Sequence, residues 1–262
     1  MGKVLDKFYA RYGNPGVLSI IQNRGMTIDW AIEAGCHDGT DTLRIAGLPG
    51  MKAIFAFEPD SVAADIAQAK FDGIPNKIKF VRSALWSKPG TVEMYSPTGN
   101  PGDGNSIFVF HEEHDDVNKK LDVSFPCTTI DLEIMAHSSS GLLWLDVEGV
   151  PHIVLEGATT TLKNIAIAQI EVEMHKMSNF RTPPYLYSTV QKTIYGSFIQ
   201  VHKIMRTSNF KLYRAPIHPG FFGDVIYIRK ELLSKIERLQ SFVLTFLMLL
   251  LHRVVYPCLK KP

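Results

Sequence analysis

A few acids and one histidine stand where they could do chemistry. Asp146 and Glu148 close a short apolar run, Leu142-Leu143-Trp144-Leu145, and Glu173 and His175 close a second run over 165–172. A carboxylate or imidazole at the tip of a buried strand can take the proton of an attacking hydroxyl that lies within hydrogen-bond reach. Upstream, Glu33 ends the run 28–32 and Glu58 ends the run 53–57. A glycine turn, Gly35-Cys36-His37-Asp38-Gly39, follows Glu33. Strand, glycine turn, helix, strand and acid, in that order, is how a doubly wound α/β protein begins to bind a nucleoside.

The elements must bring those tips together. Strands alternate with helical stretches through most of the chain, the pattern of a parallel sheet covered on both faces. Strands are expected at 28–32, 53–57, 77–81, 91–95, 142–145 and 165–172, with 210–213 and 224–228 as a closing hairpin. Helices are expected at 4–25 (two, capping the sheet), 40–48, 60–71, 151–162 and 187–207. In the helix at 60–71, Asp60 is the N-cap and Val62, Ala63, Ile66 and Ala69 form the apolar stripe. Pro151 suits a first helical turn. The expected fold is α/β: a doubly wound, mostly parallel seven-stranded sheet with helices on both faces and a terminal antiparallel hairpin. Ligands of such sheets bind outside the carboxyl ends of the strands. Glu33, Glu58, Ala84, Asp146 and the 173–175 stretch therefore gather on one rim by topology alone. Residues 96–106 form a glycine-rich loop suited to cover a substrate. The run from His111 to Asp116 reads as a solvated charged face, and no metal site is expected.

At 262 residues, 45% hydrophobic and 21% charged, the chain suits one large domain (1–229) with an appendage (230–262). A net charge of +2 is too small to point to nucleic acid. Cys36, Cys127 and Cys258 make no C-x-x-C pair, which argues against a disulfide framework or zinc and for a reducing, cytoplasmic setting. The first residues carry charges throughout, unlike a signal peptide. From Arg229 onward the net charge is +5, leaving −3 for the rest. Residues 230–240 read as a charged helix and 241–251 as apolar on all sides. That run makes about 15 Å of helix, half of the ~30 Å hydrocarbon core. It suits peripheral contact with a membrane interface over 241–256. Packing against a second subunit or against the domain's own core are the alternatives.

A dinucleotide fingerprint would read G-x-G-x-x-G, but His37 stands where its second glycine belongs, and no Gly-Lys-Ser/Thr follows as in a P-loop. A looser turn flanked by acids suits S-adenosylmethionine. That ligand has no pyrophosphate to cradle, and its sulfonium and amino groups favour nearby carboxylates. The chain resembles the FkbM-type S-adenosylmethionine-dependent methyltransferases. Glu33-Ala-Gly35-Cys-His37-Asp-Gly39-Thr-Asp-Thr42 looks like that family's D-x-G-A-N-x-G-x-x-T, and Phe57-Glu58-Pro59 like its F-E-P. Asp146-Val147-Glu148-Gly149, with Val154-Leu155-Glu156-Gly157-Ala158 behind it, looks like its D-V-E-G block. The resemblance implies that Glu33, Gly35, Gly39 and Glu58 hold the cofactor and that Asp146 and Glu148 line the acceptor side. His37 in the turn and Ala84 at a strand mouth complete the expected cofactor set, and His175 joins Asp146 and Glu148 as the catalytic set. It further implies methylation of a hydroxyl on a sugar, glycolipid or similar small molecule. Trp144 and Pro151 replace the family's Lys and Glu, removing two polar groups near the acceptor. The alternative reading is an idle nucleoside-binding module that docks through its tail. A Rossmann oxidoreductase lacks its fingerprint here.

Overall fold

The computed structural model describes residues 16–74, 77–96, 109–110, 119–134, 137, 140–173, 180–181, 196–215 and 222–250. The chain begins as strand–helix units: α1 (Val17–Asn23), β1 (Trp30–Ala34), α2 (Thr40–Ala46), β2 (Ala53–Phe57), α3 (Ser61–Phe71) and β3 (Ile78–Val81). Four strands follow, β4 (Ala84–Leu85), β5 (Gly90–Ser96), β6 (Val109–Phe110) and β7 (Lys119–Thr128). Next come α4 (Ile130–Glu133), β8 (Gly141–Leu145), α5 (Pro151–Glu156), β9 (Ile165–Glu173) and β10 (Phe180–Arg181). The chain closes with α6 (Gly196–Thr207), β11 (Phe210–Arg214), β12 (Phe222–Arg229) and α7 (Lys235–Leu250).

Seven strands form the main sheet in the order β11-β12-β9-β8-β1-β2-β3, with only β12 antiparallel to its neighbours. This is the expected doubly wound sheet with its terminal hairpin. Strand order reverses between β1 and β8, and that is where a ligand crevice opens in such folds. Side chains alternate between faces. Ala31, Ile54, Leu142, Ile167 and Ile226 pack with α1 and α2. Ile32, Phe55, Leu143, Ala168 and Tyr227 pack with α5, α6 and α7. Each fully buried Val, Leu, Ile, Phe or Met side chain contributes roughly 1.5–3 kcal/mol.

Several expectations need correction. In α3, Asp60 caps as expected, accepting from the amides of Val62 (2.9 Å) and Ala63 (3.0 Å). The stripe holds only at Ala63: Val62 and Ile66 are about half exposed, Ala69 is exposed, and Ala64, Ala67 and Phe71 join Ala63 in facing inward. The Phe71 ring lies against Gly39, so the helix turns its small residues toward the turn and leaves the larger ones outside. The helix at 151–162 is also shorter than expected. It stops at Gly157, where a Cβ would lie 2.3 Å from the Trp86 carbonyl oxygen, and a 3₁₀ turn follows at Thr161–Asn164. Residues 84–85 and 90–96 leave the main sheet and join β7 in a separate three-stranded sheet. The cluster on that sheet, Trp86, Val92, Phe125 and Cys127, packs against Val147, Val150 and Ile153 and so braces the turn after β8. The expected helix at 4–15, the loop at 97–106, the 111–116 run, His175, the start of the 187–207 helix and the chain beyond 250 lie outside the described residues.

His202 of α6 is buried against β12, its Nδ1 3.2 Å from the Tyr227 hydroxyl. Burial pushes its pKa down to about 4, with the Arg206 and Lys211 charges adding to the fall. The unfolded chain takes up this proton near the ordinary 6.5. Stability from the neutral ring is therefore present above that value and lost as pH falls toward 4. His202→Gln, which keeps a neutral partner for Tyr227, should flatten the fall in Tm across this window by about 2–4 °C in scanning calorimetry.

Candidate functional site

The turn after β1 passes through Gly35 (φ +76°), His37 (φ +47°) and Gly39 (φ +75°). Only glycine enters this left-handed region without steric cost. Both glycines are also required by packing. A Cβ at Gly35 would lie 1.8 Å from the Asp146 carbonyl oxygen, and one at Gly39 would lie 2.6 Å from the Phe71 ring. The resemblance has these glycines hold the cofactor; the packing constraint on them is the close approach of β8 and α3.

Glu58, at the tip of β2, is 7% exposed. Its two oxygens accept from the amides of His37 and Asp60, each at 2.9 Å, so it ties two turns together. Each oxygen keeps a second lone pair for a ligand hydroxyl. Glu33, one strand away, is 2% exposed, and its Oε2 has no hydrogen-bond partner. Burial pushes the Glu33 carboxyl up to about 8; the Thr42 hydroxyl opposes this, and the charges of Asp41, Asp146 and Asp38 add to it. At neutral pH this group holds a proton unless a cation lies beside it. The His37 side chain is exposed, while Cys36 is buried against Ala56, Ala67 and Phe71 with its thiol pKa pushed up. Lys70 of α3, 2.6 Å from Asp38, holds that carboxyl down at about 2 and pins α3 to the turn.

The acceptor side is built by register. Glu33, Trp144 and Gln169 form one row across β1, β8 and β9. Two residues further along, on the same face, stand Gly35, Asp146 and Glu171, with Asp224 of β12 opposite Glu171. Asp146, Glu148 and Glu171 each bring one oxygen to within 4.8 Å of the others. Glu148 (φ +45°) and Gly149 (φ +90°) make the left-handed bend that turns the chain back toward Asp146. Burial raises the Glu148 pKa to about 7, and the Asp146 charge adds to that. Glu171 rises well above the carboxylate range through burial and the charges of Asp146 and Glu148. Burial also raises Asp146, opposed by its hydrogen bond with Glu171. Asp146 and Asp224 are exposed, so water weakens the burial effect on them more than on Glu33. Three oxygens at this spacing could hold a divalent cation. A proton shared by Asp146 and Glu171 relieves the same repulsion.

Glu171 and Asp224 escaped the sequence reading because they sit inside strands. The signal was present: Gln169 and Glu171 interrupt a buried run at a spacing of two. Ala84 is half-buried and packs on the small sheet's apolar cluster. Trp144 fills the α1 side of the core, and Pro151 is buried at the start of α5. A cavity of about 280 Å³ lies at the opposite end of β1, lined by Trp30, Asp131, His137 and Thr161 among others. The Asp131 carboxylate there is taken by the amides of Thr160 and Thr161, and the cavity lies at the amino ends of the strands, away from the acids.

The fold and these residues define a Rossmann-like α/β protein with one composite site across the tips of β1, β2, β8 and β9. The chain belongs to the FkbM methyltransferase family: the Methyltransferase FkbM domain matches residues 33–212. S-adenosylmethionine is accordingly its cofactor. The buried Glu33 carboxyl, whose Oε2 lacks a hydrogen-bond partner, and the spare lone pairs of Glu58 fit a ligand carrying both cationic and hydroxyl groups. No curated protein matches the chain. Similar solved structures include methyltransferase FkbM from Methylobacillus flagellatus KT, at 12% identity over 77% of this chain and 43% of that one, TM-score 0.47. SMU.1697c from Streptococcus mutans, in complex with SAH, shares 12% identity over 77% and 87%, TM-score 0.40. An rRNA methylase from Streptococcus thermophilus shares 14% over 77% and 87%, TM-score 0.39. The chain spans less than half the length of the Methylobacillus protein.

Two substitutions separate the parts of the turn. The folded chain keeps the Glu33 proton up to about pH 8, while the unfolded chain loses it near 4.5, so stability falls as pH rises between these values. Glu33→Gln removes that loss. Without cofactor, its Tm at pH 8.5 should exceed the wild-type value by about 2–4 °C or more, and the difference should vanish near pH 4.5. Gly35→Ala forces a methyl group onto backbone in a left-handed conformation and should cost about 3 kcal/mol or more in urea denaturation.

Proposed function

We propose that the protein transfers the methyl group of S-adenosylmethionine to a hydroxyl oxygen of a sugar, glycolipid or similar small molecule. The observation that carries this reading is the meeting of Asp146, Glu148 and Glu171 within 4.8 Å, beside the turn that starts at Glu33. The cofactor supplies an electrophilic methyl group on positively charged sulfur. Anionic carboxylates on the rim favour a cation there over a neutral or anionic ligand. The chain must then align the acceptor, which can lower the barrier by roughly 7–11 kcal/mol, and remove the hydroxyl proton.

Asp146 suits the proton-accepting role. It is exposed to an incoming hydroxyl, and its partner Glu171 keeps the proton they share, which leaves Asp146 the charged member. Glu148, set by its left-handed bend, can accept a hydrogen bond from a second hydroxyl of the acceptor. With Trp144 and Pro151 committed to packing, these acids supply polar groups on the acceptor side.

Labelled methyl incorporation against a panel of glycans and lipids tests the reading, with calorimetry for cofactor affinity. Asp146→Asn should lower kcat by ~10²–10⁴-fold while leaving S-adenosylmethionine affinity within a few-fold. Glu33→Gln should instead weaken cofactor binding by about tenfold, the worth of one charged contact. Turnover should survive chelation by EDTA; loss of turnover restored by magnesium would assign the three acids to a cation. Cofactor binding with no methyl incorporated into any acceptor would make the chain a binding module.

A further inference from the structure

α7 carries apolar side chains that the domain does not use. Ile236, Leu239, Phe242, Val243, Phe246, Leu247 and Leu250 are 44–71% exposed. At 3.6 residues per turn they occupy about 140° of the helix surface. The other side of α7 is committed: Met248 is buried in the main core, Leu244 and Leu249 pack against it, and Arg24 pairs with Glu237. The helix is thus fixed to the domain with its apolar face turned outward. Lys230 and Lys235 are exposed at its amino-terminal end, beside half-exposed Arg238. Arg253, Lys260 and Lys261 follow in the sequence, giving +5 from Arg229 onward against −3 for the rest.

We propose that α7 seats the protein on an anionic lipid surface, lying flat in the membrane interface with its basic flanks on the headgroups. Sixteen residues make about 24 Å of helix, short of the ~30 Å needed to span. Among the described residues no helix is long and apolar enough to cross a membrane. A broad apolar face with two phenylalanines, flanked by lysine and arginine, is the make-up of a helix that lies on a bilayer. A second copy of the chain fits less well. A coiled-coil seam uses only the a and d positions, narrower than this face. Two tails of +5 would also repel each other, whereas anionic lipid attracts both. The inference does not depend on the methyl acceptor.

The test is co-sedimentation of the full chain with vesicles of phosphatidylcholine alone or mixed with phosphatidylserine, at low and high salt. The chain should bind the mixed vesicles at least about tenfold more tightly than neutral ones, and less tightly as salt rises. Val243→Glu with Phe246→Glu should lower binding by about tenfold or more. Lys235→Glu should weaken binding to the mixed vesicles only. These positions are exposed, so circular dichroism and Tm should not change; if the double variant misfolds, Phe246→Ser and Lys235→Gln make the same comparison. Absence of vesicle binding, or equal binding to both compositions, overturns the proposal. So does a dimer seen by light scattering that Phe246→Glu breaks while vesicle binding persists.

Discussion

The close approach of β1 to β8 governs the rest of the structure. The Asp146 amide donates to the Ala34 carbonyl at 3.0 Å, and Gly35, without a side chain, lets the Asp146 carbonyl oxygen come up beside it. That contact sets the β8 turn against the β1 turn at the point where strand order reverses. It also crowds acids, since Glu33, Asp146, Glu148 and Glu171 all approach one region. Two like charges at 4 Å repel by about 1 kcal/mol in water and about 4 kcal/mol at an effective dielectric constant of 20. The half-open rim lies between those limits. Protons relieve the crowding in the free protein, and a cationic ligand relieves it in another way. The same close packing that builds the turn therefore prepares the site for positive charge.

The main sheet was largely legible in the sequence because its signals are local. The run 53–57 is an uninterrupted apolar stretch between turn residues, and it forms β2 with those bounds. Asp60 and Pro151 act where their chemistry alone puts them, as an N-cap and as a first-turn residue. The strand-tip acids Glu33 and Glu58 fall on neighbouring strands because alternating strands and helices leave few other arrangements.

What stayed hidden depends on partners far away in sequence. The segment 91–95 is a strand, as expected, but nothing local says that it pairs with Phe125 and Pro126 instead of joining the main sheet. The α3 stripe was misjudged for a related reason. Counting apolar residues favours Val62 and Ile66, whereas a helix pressed onto a glycine turn needs alanine on its inner side. Glu171 was passed over because an acid inside an apolar run looks like an interruption until the register sets it level with Asp146. The glycine turn was legible, but the contacts that require Gly35 and Gly39, with β8 and with Phe71 of α3, come from distant sequence.

Charge is divided along the chain, and among the described residues the fold keeps α7 apart from the acids of the site. The acids of the site sit over β1, β8 and β9, while α7 packs on β11 at the edge of the sheet. Strand spacings of about 4.8 Å put Glu33 on β1 roughly 19 Å from β11 and Glu171 on β9 roughly 10 Å from it. Even the shorter distance exceeds the ~8 Å screening length at physiological salt. The Lys235 and Arg238 cations of α7 therefore do not neutralise the acidic rim, and the rim does not cancel their attraction for anions. If α7 seats on an anionic surface as proposed, the domain docks edge first, which leaves the acids at the switch point facing solution.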